Sequence, residues 1–259
     1  MRYEKFFNNK DLIFHYTKLE RALEYILKNK QLRFTRFIDS ADPHEYKKRI
    51  FALTGLFSTW NKFDKKLISC PEKINNIIQQ NLRMACFCCN KTNYPGYLRS
   101  RMWDQYADNH RGLCLAFSKK SLQKAVRKQF KSDFKKNGIV NYYPHKDIRF
   151  ERMYKSQAKT IHYTNPNHDI IKEHLNINYK FLFFKKHQDY RDEAEYRFIV
   201  LDMDNKFEYI DISDCLVGII LGDIFPITYL PIIKLIESEL NIVWDRVNIW
   251  DDGNMTLSR

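Results

Sequence analysis

Apolar residues in this chain come in runs of strand length, and the segments between them carry helical spacing. Leu12-Ile-Phe-His15-Tyr16-Thr17 is one such run; Leu19, Ala22, Leu23, Ile26 and Leu27 then recur at helical intervals before Leu32-Arg-Phe34-Thr35 alternates again. Thr17 stands where a helix N-cap belongs, and Glu20 completes the pattern of a capping box. Further strands are predicted over 84–89, 112–117, 139–144, 195–201, 207–211, 217–221 and 246–250. Helices are predicted from about His44 to Leu56, over 71–82, 98–108, 118–128 and 227–240, and through most of 145–185. With no internal repeat and no linker, the pattern predicts one α+β domain over 1–259. Its central sheet is expected to be mostly antiparallel, with helical insertions near 44–83 and 145–185.

The segment Lys186-His-Gln-Asp-Tyr190-Arg-Asp-Glu193-Ala-Glu195-Tyr196-Arg197-Phe-Ile-Val200 combines strand character with concentrated charge. In an extended chain Glu193, Glu195 and Arg197 point to one face, because side chains alternate with period two. Like charges side by side are costly to bury, so the arrangement implies either an exposed sheet face neutralised by Arg197 or a ligand or catalytic site.

Composition narrows the chemistry. The chain has only 7 glycines and neither phosphate-loop pattern, which excludes Rossmann and P-loop readings. A net charge of +13 favours polyanions such as nucleic acid or phosphorylated ligands, although the basic residues are spread along the sequence. No stretch reaches the length of a membrane span, and Met1-Arg-Tyr-Glu-Lys has no signal-peptide core, so a cytoplasmic protein is expected. Cys86-Phe-Cys88-Cys89 has no zinc-knuckle spacing, which points to buried reduced thiols and to no metal site.

Several segments resemble a bacterial family of uncharacterised proteins, DUF2971. They are His15-Tyr16-Thr17, Leu32-Arg33-Phe34-Thr35, Ala41-Asp42-Pro43-His44-Glu45, Cys86-Phe87-Cys88, Met102 through Phe117, and Lys186 through Arg197. Ala41, His44, Cys88 and Tyr190 depart from the family's Asn, Phe, Ser and Trp. More distantly, a His-x-Thr strand followed by a helix and a short strand, with a late Glu-x-Glu at a strand start, resembles ADP-ribosyltransferases of the DNA-modifying toxin and RNA 2′-phosphotransferase type.

That likeness implies an ADP-ribosyltransferase-like fold and NAD as substrate. Cleaving the nicotinamide–ribose bond passes through an oxocarbenium-like state, which calls for a carboxylate near the ribose, an aromatic ring and a ribose donor. Glu195 would be the principal carboxylate, Glu193 its accessory and His15 the ribose contact. Tyr16 and Thr17 would accompany His15, Tyr106 or Tyr142 would stack on nicotinamide, and Arg197 would bind phosphate. Asp42, Glu45, Trp103, Lys186 and Tyr190 would face the acceptor, expected to be nucleic acid. Each residue also has a plainer reading. His15 suits a hydrogen-bonded core position, Thr17, Asp42 and Glu45 are caps, Trp103 and Tyr106 share a helix face as core residues do, and Arg197 pairs with Glu195. A second class of function is a metal-dependent nuclease, with Asp42, Glu45, Glu193 and Glu195 around a divalent ion, or a nucleic-acid sensor in defence against phage.

Overall fold

The structure, a computed structural model, describes residues 3–40, 75–91, 94–144, 168–203 and 208–257. Asp42, Glu45, the helix expected from His44 to Leu56 and most of both expected insertions lie outside these residues. The elements in order are α1 (Glu4–Phe7), β1 (Leu12–Thr17), α2 (19–29, π-helical over Arg21–Leu27), β2 (Gln31–Arg33) and β3 (Thr35–Arg36). Then come α3 (75–81), β4 (Leu82–Cys89), α4 (Ser100–Tyr106), β5 (Leu113–Ser118), α5 (Lys119–Gln129), β6 (Lys135–Ile139) and β7 (Asn141–Tyr143). The chain continues through α6 (His168–Phe183), β8 (Lys185–His187), a 3-10 turn (Gln188–Glu193), β9 (Glu195–Leu201), β10 (Tyr209–Asp211), β11 (Leu216–Leu221), α7 (Leu230–Leu240), β12 (Val243–Ile249) and β13 (Met255–Leu257).

Among the described residues the main sheet has 9 strands and runs β13-β12-β11-β5-β1-β4-β9-β6, with β3 on β4. Every pairing in it is antiparallel except β11 with β12, so the expected α+β class and mostly antiparallel sheet are observed. Helices cover both faces. Ala22 and Ile26 of α2, Leu122 and Val126 of α5 and Ile233 of α7 pack on Ile13, Phe87, Leu115, Phe198 and Ile219. The opposite face buries Phe14, Tyr16, Cys88, Cys114 and Ile220 beneath Phe7 of α1 and Trp103 of α4. Further along that same face, Met84, Ile199 and Leu201 meet Leu175, Leu182 and Phe183 of α6.

The sheet opens beside β4. Strand β1 pairs with β5 along its whole length, from Leu12↔Ser118 to Thr17↔Leu113, but with β4 only at Ile13↔Cys89 and Phe14↔Cys88. β3 takes up the same edge of β4 at Thr35↔Met84 and Arg36↔Arg83. Between these two pairings no strand among the described residues lies along the backbone of residues 85–87 on that side. His15 fills the opening, with Nδ1 3.1 Å from the Cys86 carbonyl oxygen.

One local expectation fails and one strand is not predicted in full. The capping box does not form: Thr17 ends β1, and its Oγ1 is buried without a hydrogen-bond partner among the described residues. β6, which begins four residues before the strand predicted from Ile139, pairs with the outer edge of β9 from Lys135↔Val200 to Ile139↔Tyr196. Its residues, Lys-Lys-Asn-Gly-Ile, serve an edge strand that needs backbone pairing more than an apolar face.

Candidate active site

The turn before β9 is held from three sides. Arg99 Nη1 donates to the Asp192 carbonyl (2.6 Å) and Arg101 Nη1 to the Asp189 carbonyl (2.6 Å), so the start of α4 grips the 3-10 turn. The Cys89 backbone N–H donates to the Ala194 carbonyl (2.9 Å), and the Glu195 N–H donates to the Tyr142 hydroxyl (2.9 Å). Tyr142 is delivered there by the parallel pairing of β7 with β8, which sets it opposite Lys186.

Glu193 ends the turn, and Ala194 adopts the left-handed conformation at φ 43°, so β9 begins only at Glu195. The period-two reading of Glu193 and Glu195 is therefore corrected: they are not successive same-face positions of one strand. They meet through a cation instead. Lys186 Nζ lies 2.7 Å from Glu193 Oε2 and 3.6 Å from Glu195 Oε2, over the Tyr190 ring at 4.5 Å from its centroid.

The two carboxylates are held differently. Glu195 accepts from Arg197 Nε (2.7 Å) and Nη2 (2.9 Å), and the same guanidinium donates to the Phe183 carbonyl (2.7 Å). Burial raises the Glu195 pKa, but the Arg197 charge and hydrogen bonds outweigh it and hold the group at about 2. Glu193 is 4% exposed, and burial raises its pKa against the partial compensation of Lys186. Its Oε1 is buried with no hydrogen-bond partner among the described residues. Tyr106 is 42% exposed, and its phenol is pushed up to about 12 by burial and by the nearby Glu193 charge. Glu195, Arg197, Lys186, Glu193, Tyr106, Tyr142 and Tyr190 thus form one cluster, with the Cys86 thiol donating to Glu195.

His15 is not part of it. Directly opposed residues of antiparallel strands share a face. His15 is opposite Leu115, which is opposite Ile219, on the α2/α5/α7 side. Glu195 is opposite Cys88, which is opposite Phe14, on the α4/α6 side. His15 packs on Phe87 at 5.7 Å, and burial lowers its pKa, so it is neutral with Nδ1 donating to Cys86. Tyr16 shares the face of Glu195 but is spent on structure: its hydroxyl donates to the Gly96 carbonyl (2.8 Å), and its ring meets Trp103 edge-on. Trp103, expected to face the acceptor, is fully buried, with Nε1 donating to the Tyr97 carbonyl (2.9 Å).

Sequence reasoning missed Arg99, Arg101 and Ala194, which fix the turn, and Cys86, which faces Glu195. Arginines just before and inside a helix start oppose the helix dipole, and that oddity was the available signal for the first two.

The site is thus a buried carboxylate pair bridged by a lysine and ringed by tyrosines, at the end of a mixed sheet. Residues 102–198 match the family described as a protein of unknown function (DUF2971), which supports the assignment of the chain to that family. The matched span supplies Tyr106, Tyr142, Lys186, Tyr190, Glu193, Glu195 and Arg197. No curated protein and no solved structure matches the chain.

Proposed function

We propose that the chain is an NAD-consuming enzyme of the ADP-ribosyltransferase type, in which Glu193 is the carboxylate that meets the substrate. The observation that carries this reading is Glu193 Oε1, a buried acceptor with no donor of its own among the described residues. An unsatisfied buried acceptor costs roughly 1–3 kcal/mol, which a bound hydroxyl or N–H group would recover. Glu193 and Glu195 also have environments that push their pKa values apart, the arrangement that assigns one carboxylate to proton transfer and fixes the other as ionised.

In the reaction the bond between ribose C1′ and the nicotinamide nitrogen breaks, and its electron pair leaves with nicotinamide. A nucleophile on the acceptor forms the new bond to C1′ and gives its proton to Glu193. Lys186 holds Oε2 so that Oε1 stays free to receive it, and Arg197 keeps Glu195 anionic near the developing oxocarbenium charge. The exposed Tyr106 offers a ring for nicotinamide. The net charge of +13 favours an acceptor with a phosphate backbone, and nucleic acid is the proposed class.

The nuclease reading is less well supported. The place between Glu193 and Glu195, where a divalent ion would sit, is taken by the Lys186 ammonium, and the further acids that reading needed, Asp42 and Glu45, lie outside the described residues.

The test is nicotinamide release from NAD in EDTA, with nucleic acid present, by the wild type and by the Glu193→Gln and His15→Gln variants. Release lost in Glu193→Gln and retained in His15→Gln is the expected result. If the wild type neither releases nicotinamide nor gains thermal stability from millimolar NAD, the reading fails.

A further inference from the structure

Helix α5 has the sequence Lys-Lys-Ser-Leu-Gln-Lys-Ala-Val-Arg-Lys-Gln and contains no acidic residue. Its apolar side is consumed by the fold, with Leu122 and Val126 buried. Lys120, Lys124, Arg127 and Lys128 are exposed on the outward side, and Lys131 continues the row just past the helix end. Lys120, Lys124 and Lys128 succeed one another at i, i+4, the spacing at which like charges repel. Nearby acids relieve only the ends: Asp11 lies 3.4 Å from Lys120, and Asp211 is influenced by Lys128. Lys124, Arg127 and Lys131 make no ion pair among the described residues.

We infer that the outward face of α5 is a nucleic-acid backbone surface, with Lys120, Lys124, Arg127 and Lys128 each neutralising a phosphate. A row of cations at helical spacing, held by a rigid element, presents charge without the planar or apolar groups that read bases, so it binds without sequence preference. An anionic membrane would meet the same charge, but it also draws binding strength from apolar side chains entering the lipid. α5 has none to give, since its apolar residues are in the core. The helix lies on the opposite side of the sheet from Glu193, so this surface anchors a polyanion independently of the candidate active site and goes beyond the reading proposed for it.

The experiment is fluorescence anisotropy of the full chain with labelled DNA and RNA duplexes across a sodium chloride series, alongside sedimentation with phosphatidylserine vesicles. Four neutralised phosphates give a slope of log K against log salt of about −3.6 on duplex DNA. The double variant Lys124→Glu/Arg127→Glu is expected to weaken binding to both duplexes and to lower the magnitude of the slope by about 2. Both positions are exposed, and the thermal stabilisation given by millimolar NAD should be unchanged, which separates loss of this surface from loss of the active site. Absence of binding to either duplex overturns the inference. So does an unchanged slope in the variant, or a preference for vesicles over both duplexes.

Discussion

His15 and Glu195 lie on opposite faces of the same sheet, and Cys86 stands between them. The Cys86 carbonyl meets His15 Nδ1, while its thiol donates to Glu195 on the other side. A histidine and a carboxylate related in this way cannot grip one ribose. His15 instead supplies the hydrogen bond that a strand would have made in the opening between β1 and β3.

That placement makes His15 a stability residue with a pH signature. Its pKa is lowered, chiefly by burial, so the unfolded chain binds its proton more readily than the folded one. Its contribution is therefore complete above the ordinary histidine pKa of about 6.5 and is lost as pH falls through the lower folded value. Thermal melts of the wild type should drop as pH falls below about 6.5, and His15→Gln should flatten that drop. His15→Ala, which strips the Cys86 carbonyl of its donor, should cost roughly 1–3 kcal/mol at neutral pH. A wild-type melting temperature that does not change between neutral and mildly acidic pH would contradict this role.

Glu195 and Arg197 are almost wholly buried at 3% and 1% exposure, and the pair's value lies in being kept whole. Arg197→Met leaves Glu195 with the Cys86 thiol and the more distant Lys186 ammonium, 3.6 Å away, and should destabilise by about 3–5 kcal/mol in chemical denaturation. Adding Glu195→Leu removes the stranded charge and should return much of that loss, a coupling that a double-mutant cycle measures directly. For the intact pair the sign with pH is opposite to that of a raised carboxyl. Glu195 is depressed to about 2, so its contribution is present above the ordinary glutamate range and fades as pH falls through it toward 2. Additive losses in the cycle would show that the two side chains are not acting as a unit.

The sheet was largely legible because buried strands announce themselves. The runs predicted over 84–89, 112–117, 195–201 and 217–221 sit within or close to β4, β5, β9 and β11, whose residues are nearly all buried. β6 and β13 were not legible, since edge strands are specified by the backbone of a neighbour rather than by their own apolar pattern. The site was half legible for a related reason. Composition and spacing brought Glu193, Glu195, Lys186 and Arg197 forward as a charged group, and they do cluster. The face on which His15 sits depends on register with Leu115, a residue far off in sequence, and the left-handed turn at Ala194 breaks the alternation from which the carboxylate geometry was inferred.

Ala194 holds the backbone at φ 43°, ψ 50°, a region that suits glycine and strains an L-residue by roughly 1–2 kcal/mol. The residue is fully buried between the two carboxylates, so the strain is localised at the cluster. Ala194→Gly should relieve the strain and leave the melting temperature equal or higher, while freeing the turn that aims Glu193. Ala194→Val, β-branched in the same conformation, should destabilise by roughly 1–3 kcal/mol. If nicotinamide release in Ala194→Gly matches the wild type, the fixed turn contributes to folding alone.

The basic row on α5 makes a prediction whose two halves have opposite signs. Replacing Lys124 by glutamate turns two repulsive i, i+4 neighbours, Lys120 and Lys128, into attractive ones. Each pair is worth roughly 0.2–0.5 kcal/mol at low salt, and the lost repulsion adds a similar amount. Lys124→Glu should therefore stabilise the free protein slightly in urea denaturation while weakening its binding to duplex nucleic acid. The stabilisation should shrink as salt rises and screens the pairs. A side chain whose only task is to solvate the helix would show the gain without the loss. A variant that is more stable and binds duplexes as tightly as the wild type would return α5 to the status of an ordinary charged surface.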